Sequence, residues 1–119
     1  MGGRLALVVG SECKALGELG FPLQLATDLH SRLTTLGGWD SARTVEGPLL
    51  NPTTRELTAE IKAAFALAAR SQAALLISFV GHGVATGRDN FFLLAHDSPQ
   101  HPESDTALHI IQVLSEQLG

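Results

Sequence analysis

Residues 73–87 read AALLISFVGHGVATG, an uncharged run that turns from apolar to glycine-rich at Gly81-His82-Gly83. Eight consecutive residues without charge, 73–80, predict a strand buried on both faces, as in a parallel sheet. Just past such a strand, outside the carboxyl ends of the sheet, is where open α/β proteins gather their chemistry. A histidine between two glycines at that point is the strongest pointer to a site in this chain.

The flanking sequence fits the same architecture. Residues 5–10, LALVVG, predict a first buried strand, and 11–20 a polar loop. Residues 21–36 predict a helix with Leu25, Leu29, Leu33 and Leu36 as its apolar stripe, Pro22 at a first helical position and Gly37-Gly38 as its stop. A short strand is expected around 43–45. The second helix starts either at Asn51, with Pro52 following, or at Thr53, with Glu56 completing a capping box. Its buried stripe is Leu57, Ile61, Phe65 and Ala68. Residues 90–95, NFFLLA, predict another strand and 96–104 a loop. Residues 106–118 predict a third helix with Leu108, Ile111, Leu114 and Leu118 on one face, Asp105 as its cap and Gly119 as its stop. Alternation of strands and helices implies one α/β domain over 1–119, a three-layer α/β/α sandwich around a mostly parallel sheet. An alternation that stops on a helix predicts an incomplete sheet, either continued in a longer protein or closed by another chain.

Composition removes several classes of function. With 45% hydrophobic and 17% charged residues the chain is globular and not disordered. A formal charge of -4 with no basic run argues against nucleic-acid binding. No apolar run has membrane-spanning length, and the short stretch after Arg4 reads as a strand and not a signal peptide. One cysteine cannot form an internal disulfide, which fits the cytoplasm. No Cys/His spacing suggests zinc, and no cofactor is expected. Gly81, Gly83 and Gly87 depart from the dinucleotide fingerprint. Ser78 lies outside any nucleophile elbow.

His82 can be read two ways. Its imidazole suits acid, base or ligand work near neutral pH, and the Gly83 amide could face a developing oxyanion. Equally, the glycines could serve the turn alone. The wider pattern resembles the caspase-like superfamily of cysteine peptidases, particularly its bacterial, metacaspase-like members. LALVVG is similar to the family's first strand, and Ala26-Thr27-Asp28 to the start of its first helix. Leu36-Gly37-Gly38-Trp39 is similar to the step after that helix, and Asn51 with Thr53 to the turn into the second. LLISFVGHG resembles the strand ending in Ser-Gly-His-Gly, and Phe92-Leu93-Leu94 with Asp97 the segment that follows.

That resemblance implies a caspase-like fold and peptide-bond hydrolysis by a Cys-His dyad. His82 would be the general base, Gly83 an oxyanion donor, and a peptide or protein the substrate. The family's nucleophile lies at the end of the next buried strand, which residues 1–119 do not include, so the isolated chain is expected to be inactive. P1 specificity, Asp or Lys/Arg, stays open.

Cys13 follows the first strand, and in the family's strand order its loop lies beside that of His82. A neighbouring imidazole would favour its thiolate; the alternative is a loop cysteine without catalytic consequence. Glu12 and Arg4 are candidate pocket residues without assigned roles. Asp89 and Asp97 flank the 91–95 strand. Calcium activation, known among relatives of the metacaspase kind, would need more ligands than these two, and turn or cap roles suit them better. Asp28 reads as a surface carboxylate, Trp39 as an anchor, and His96, His101 and His109 as surface histidines. A second function remains open: a non-catalytic caspase-like module for protein assembly, binding a partner or itself through an open sheet edge.

Overall fold

The computed structural model describes residues 3–17, 19–87, 90–99 and 107–118. It is a mixed α/β structure with a mostly parallel sheet. Strand β1 (Arg4–Gly10) is the axis of that sheet. β2 (Asp40–Ser41) and β3 (Leu49–Leu50) lie in line along one side of it, β2 beside Leu5-Ala6 and β3 beside Val9-Gly10. β4 (Ala74–Val80) runs parallel along its other side over all seven residues, from Arg4↔Ala74 to Gly10↔Val80. Among the described residues β4 has no second partner. This corrects the expectation of a fully buried strand: residues 75–80 are half-buried and Ala74 is exposed.

Helices cover the two faces of this sheet. On one face, Leu7 and Val9 pack with Leu57, Ile61 and Ala64 of α2 (Thr54–Ser71), and Leu75, Ile77 and Phe79 join them. The capping-box alternative is the one the chain adopts. The Glu56 N–H donates to the Thr53 hydroxyl at 3.1 Å, and the Thr53 N–H to the Glu56 carboxylate at 2.9 Å. Ala64 takes the fully buried position, and Phe65 packs at the edge.

The other face carries α1 (Pro22–Thr35), and here the expected leucine stripe is wrong. The buried residues are Pro22, Ala26 and His30, while Leu25 is 49% and Leu36 81% exposed. The cause is a close helix–strand approach. A methyl group at Gly10 would lie 2.7 Å from both the Ala26 Cβ and the Pro22 carbonyl oxygen. Only small residues fit that contact, so the larger leucines are turned aside.

The expected strand at 43–45 is also absent; those residues form bends, and the pairing occurs earlier, at β2. The Arg43 guanidinium instead braces the loop. It reaches the Glu60 carboxylate at 2.7 Å and the carbonyls of Gly47 and Pro48 at 3.2 and 2.8 Å.

Past β4 the chain leaves the parallel sheet. β5 (Gly83–Gly87) and β6 (Asn90–Leu93) form an antiparallel pair, and β7 (Leu108–His109) adds to β6. This second, antiparallel sheet was not expected. Helix α3 (Ile110–Leu118) follows directly, later than the expected start at Thr106, and packs against α2 and β6. Asp105, Thr106 and Gly119 lie outside the described residues.

Candidate functional site at the carboxyl ends of β1 and β4

Parallel pairing of β1 with β4 brings their two following loops side by side. The Ser11 N–H donates to the Val80 carbonyl at 2.9 Å, carrying the pairing one residue beyond the strands. Gly81 is required by this approach. A methyl group there would lie 2.6 Å from the Ser11 carbonyl oxygen and 3.0 Å from the Phe79 ring. At Gly83 it would lie 2.7 Å from the Phe91 ring. Both glycines therefore answer to packing as well as to the turn.

His82 stands between them, half-buried. Its carbonyl accepts from the Leu94 N–H at 3.0 Å, and the Leu94 carbonyl accepts from the Ser11 hydroxyl at 3.2 Å. The backbone of His82 is thus held by β6 and, through it, by the loop after β1. Its Nε2 is buried and has no hydrogen-bond partner among the described residues. Burying a polar atom unpaired costs about 1–3 kcal/mol, so such an atom calls for an explanation. His30 Nδ1 is the other such atom, but the His30 ring is engaged through Nε2 with the Glu46 carboxylate at 3.1 Å.

The register fixes the direction of the neighbouring amide. Antiparallel ladders alternate hydrogen-bonded and non-hydrogen-bonded pairs. His82 and Leu94 are bonded, so Gly83↔Leu93 is the non-bonded pair, and the Gly83 N–H points away from β6. An imidazole with an unpaired nitrogen beside an outward-facing amide can exchange a proton and steady a nearby negative charge.

Cys13 lies in the neighbouring loop but is differently placed. It is wholly buried, packed against Phe92, Leu94 and Ala107, and its thiol donates to the Ser98 carbonyl at 3.3 Å. No hydrogen bond joins it to His82. Glu12, 6% exposed, is a brace: its two carboxylate oxygens accept from the Leu19 and Gly20 amides at 3.1 and 3.2 Å. Its own N–H donates to the Asn51 side chain at 2.8 Å. Arg4 lies at the opposite end of β1. Its guanidinium donates to the Gly37 carbonyl at 2.9 Å and sits 5.3 Å over the Trp39 ring.

Two residues of this end carry roles that the sequence did not suggest. Asn51, at φ 48°, ties β3 to β1 by donating its N–H to the Gly10 carbonyl at 2.8 Å. Asparagine tolerates this left-handed backbone, although a following proline biases a residue toward extended conformations. His96 spans Cys13: its Nδ1 bonds the Glu12 carbonyl at 3.1 Å, and its own carbonyl accepts from the Lys14 N–H at 3.1 Å. A carbonyl only accepts, so Nδ1 carries the proton. No local pattern announced this clasp.

The Asp97 carboxylate accepts from the Thr54 N–H and hydroxyl at 2.8 and 3.0 Å, at the start of α2. Asp28 pairs with Gln24 on the exposed side of α1. Asp89 and His101 lie outside the described residues. Among the described residues no group of three His, Cys, Asp or Glu is placed to hold a metal ion, and no helix is long and apolar enough to cross a membrane. No protein-family model matches the chain, and no curated protein matches it either.

Proposed function

We propose that this chain is the histidine-bearing part of a cysteine endopeptidase of the caspase-like kind, with His82 as its general base. The observation that carries this reading is the unpaired Nε2 of His82 at the carboxyl end of β4, next to the outward-facing Gly83 amide. In the reaction the imidazole takes the proton of a cysteine thiol, and the thiolate adds to the peptide carbonyl carbon. The Gly83 N–H donates to the resulting oxyanion. The imidazolium then protonates the departing amine, and water, deprotonated by the same ring, releases the acyl group from sulfur. The Cys13 thiol is committed to the Ser98 carbonyl, so the reading assigns the nucleophile to a strand that pairs with the open side of β4. Such a strand would end beside His82.

A second reading is a non-catalytic assembly module. It is favoured by β4 itself, which among the described residues pairs on one side only and has the uncharged sequence ALLISFV, with none of the charges or prolines that usually guard an edge. Isolation of the native gene product separates the two. A peptidase cleaves a mixed peptide library and loses that activity on alkylation with iodoacetamide. An assembly module leaves the library intact, while the 119-residue chain self-associates or captures an extended peptide.

A further inference from the structure

His109 ends β7 and immediately precedes the first residue of α3. Its ring caps that helix: the Gln112 N–H donates to Nδ1 at 3.1 Å. A backbone N–H is only a donor, so Nδ1 must present a lone pair, and the neutral ring carries its proton on Nε2. The ring also stands edge-on to Phe92 of β6, centroids 5.0 Å apart and planes at 79°. β7 pairs with β6 at the same point, Phe92↔His109. One residue therefore joins the helix, its leading strand and the antiparallel sheet.

We propose that His109 is a proton-operated cap that holds the first turn of α3 at neutral pH and loosens it in mild acid. A proton from solvent on Nδ1 converts the acceptor into a donor facing a donor, so the Gln112 bond is lost. It also places a positive charge at the amino end of α3, where the helix dipole disfavours it. Among the described residues, the charged groups sharing the concavity with His109 are Lys62 from α2 and Glu116 from α3, while β6 contributes the uncharged Phe92. Both are exposed, so solvent screens them. β7 is the outer strand of the sheet whose other outer strand begins at Gly83. The capped turn thus directly follows a strand of the sheet that begins at the candidate site, and the inference stands whether or not the peptidase reading does.

Amide hydrogen exchange on the whole chain, expressed as protection factors at about pH 7.5 and about pH 5.5, tests this. Protection at Gln112 and Val113 should fall about fivefold in acid, the size expected for one lost side-chain cap, with α2 unchanged. His109→Asn, whose side-chain oxygen accepts at either pH, should hold its protection at both. His109→Ala should be low at both; if it fails to fold, the asparagine variant alone decides. Wild-type protection that does not move, an equal fall in His109→Asn, or a fall shared by α2 would overturn the proposal.

Discussion

The loops that follow β1 and β4 lie side by side and are built in opposite ways. After β1 the side chains are spent on structure. The Ser11 hydroxyl goes to the Leu94 carbonyl, the Glu12 carboxylate to two amides, and the Cys13 thiol to the Ser98 carbonyl. After β4 the one chemically versatile side chain, His82, keeps a ring nitrogen without a partner among the described residues. The first loop is a scaffold and the second is what it supports. Polar residues near a sheet's carboxyl end thus divide by whether their bonding capacity is already used.

That contrast can be broken from either side. The largest effect is expected from Glu12→Ala, which leaves the Leu19 and Gly20 amides without their carboxylate partner and should cost about 2–3 kcal/mol in chemical denaturation. A loss below about 0.5 kcal/mol would mean that Glu12 is not a brace. Gly81→Ala comes next. The added methyl group meets the Ser11 backbone, which cannot swing away like a side chain, and about 1–2 kcal/mol should be lost. An unchanged midpoint would show that the loops do not press together. The smallest effect is expected at His82, the proposed general base. His82→Ala removes a half-buried ring, whose lost packing offsets relief of an Nε2 unpartnered among the described residues, and should shift stability by no more than about 0.5 kcal/mol. A loss as large as that at Glu12 would place His82 in the scaffold too.

The same division explains what the sequence revealed. The course of α2 was legible because its periodicity rests on residues within a few positions of each other, while its start stayed open between Asn51 and Thr53 and Ala64 holds the buried place expected of Phe65. Gly81-His82-Gly83 was legible because an apolar run ends there. The face of α1 was misread because hydrophobicity does not decide what meets Gly10; size does, and Ala26 wins over the leucines. The scaffold of the first loop was hidden for a different reason. Its bonds join residues far apart in the chain, Glu12 to Asn51 across 39 positions and to His96 across 84. No local pattern records such pairings. The antiparallel turn after β4 was missed because GVATG has too little apolar alternation to signal a strand on its own.

His82 is proposed as the proton acceptor of a thiol-dependent cleavage. The most direct measurement is the turnover of the native gene product against its His82→Ala form, with circular dichroism showing that both are folded. A general base at His82 predicts a loss of at least about 100-fold, within the range for removing such a group, with the fold intact. Equal turnover by the two forms would contradict it.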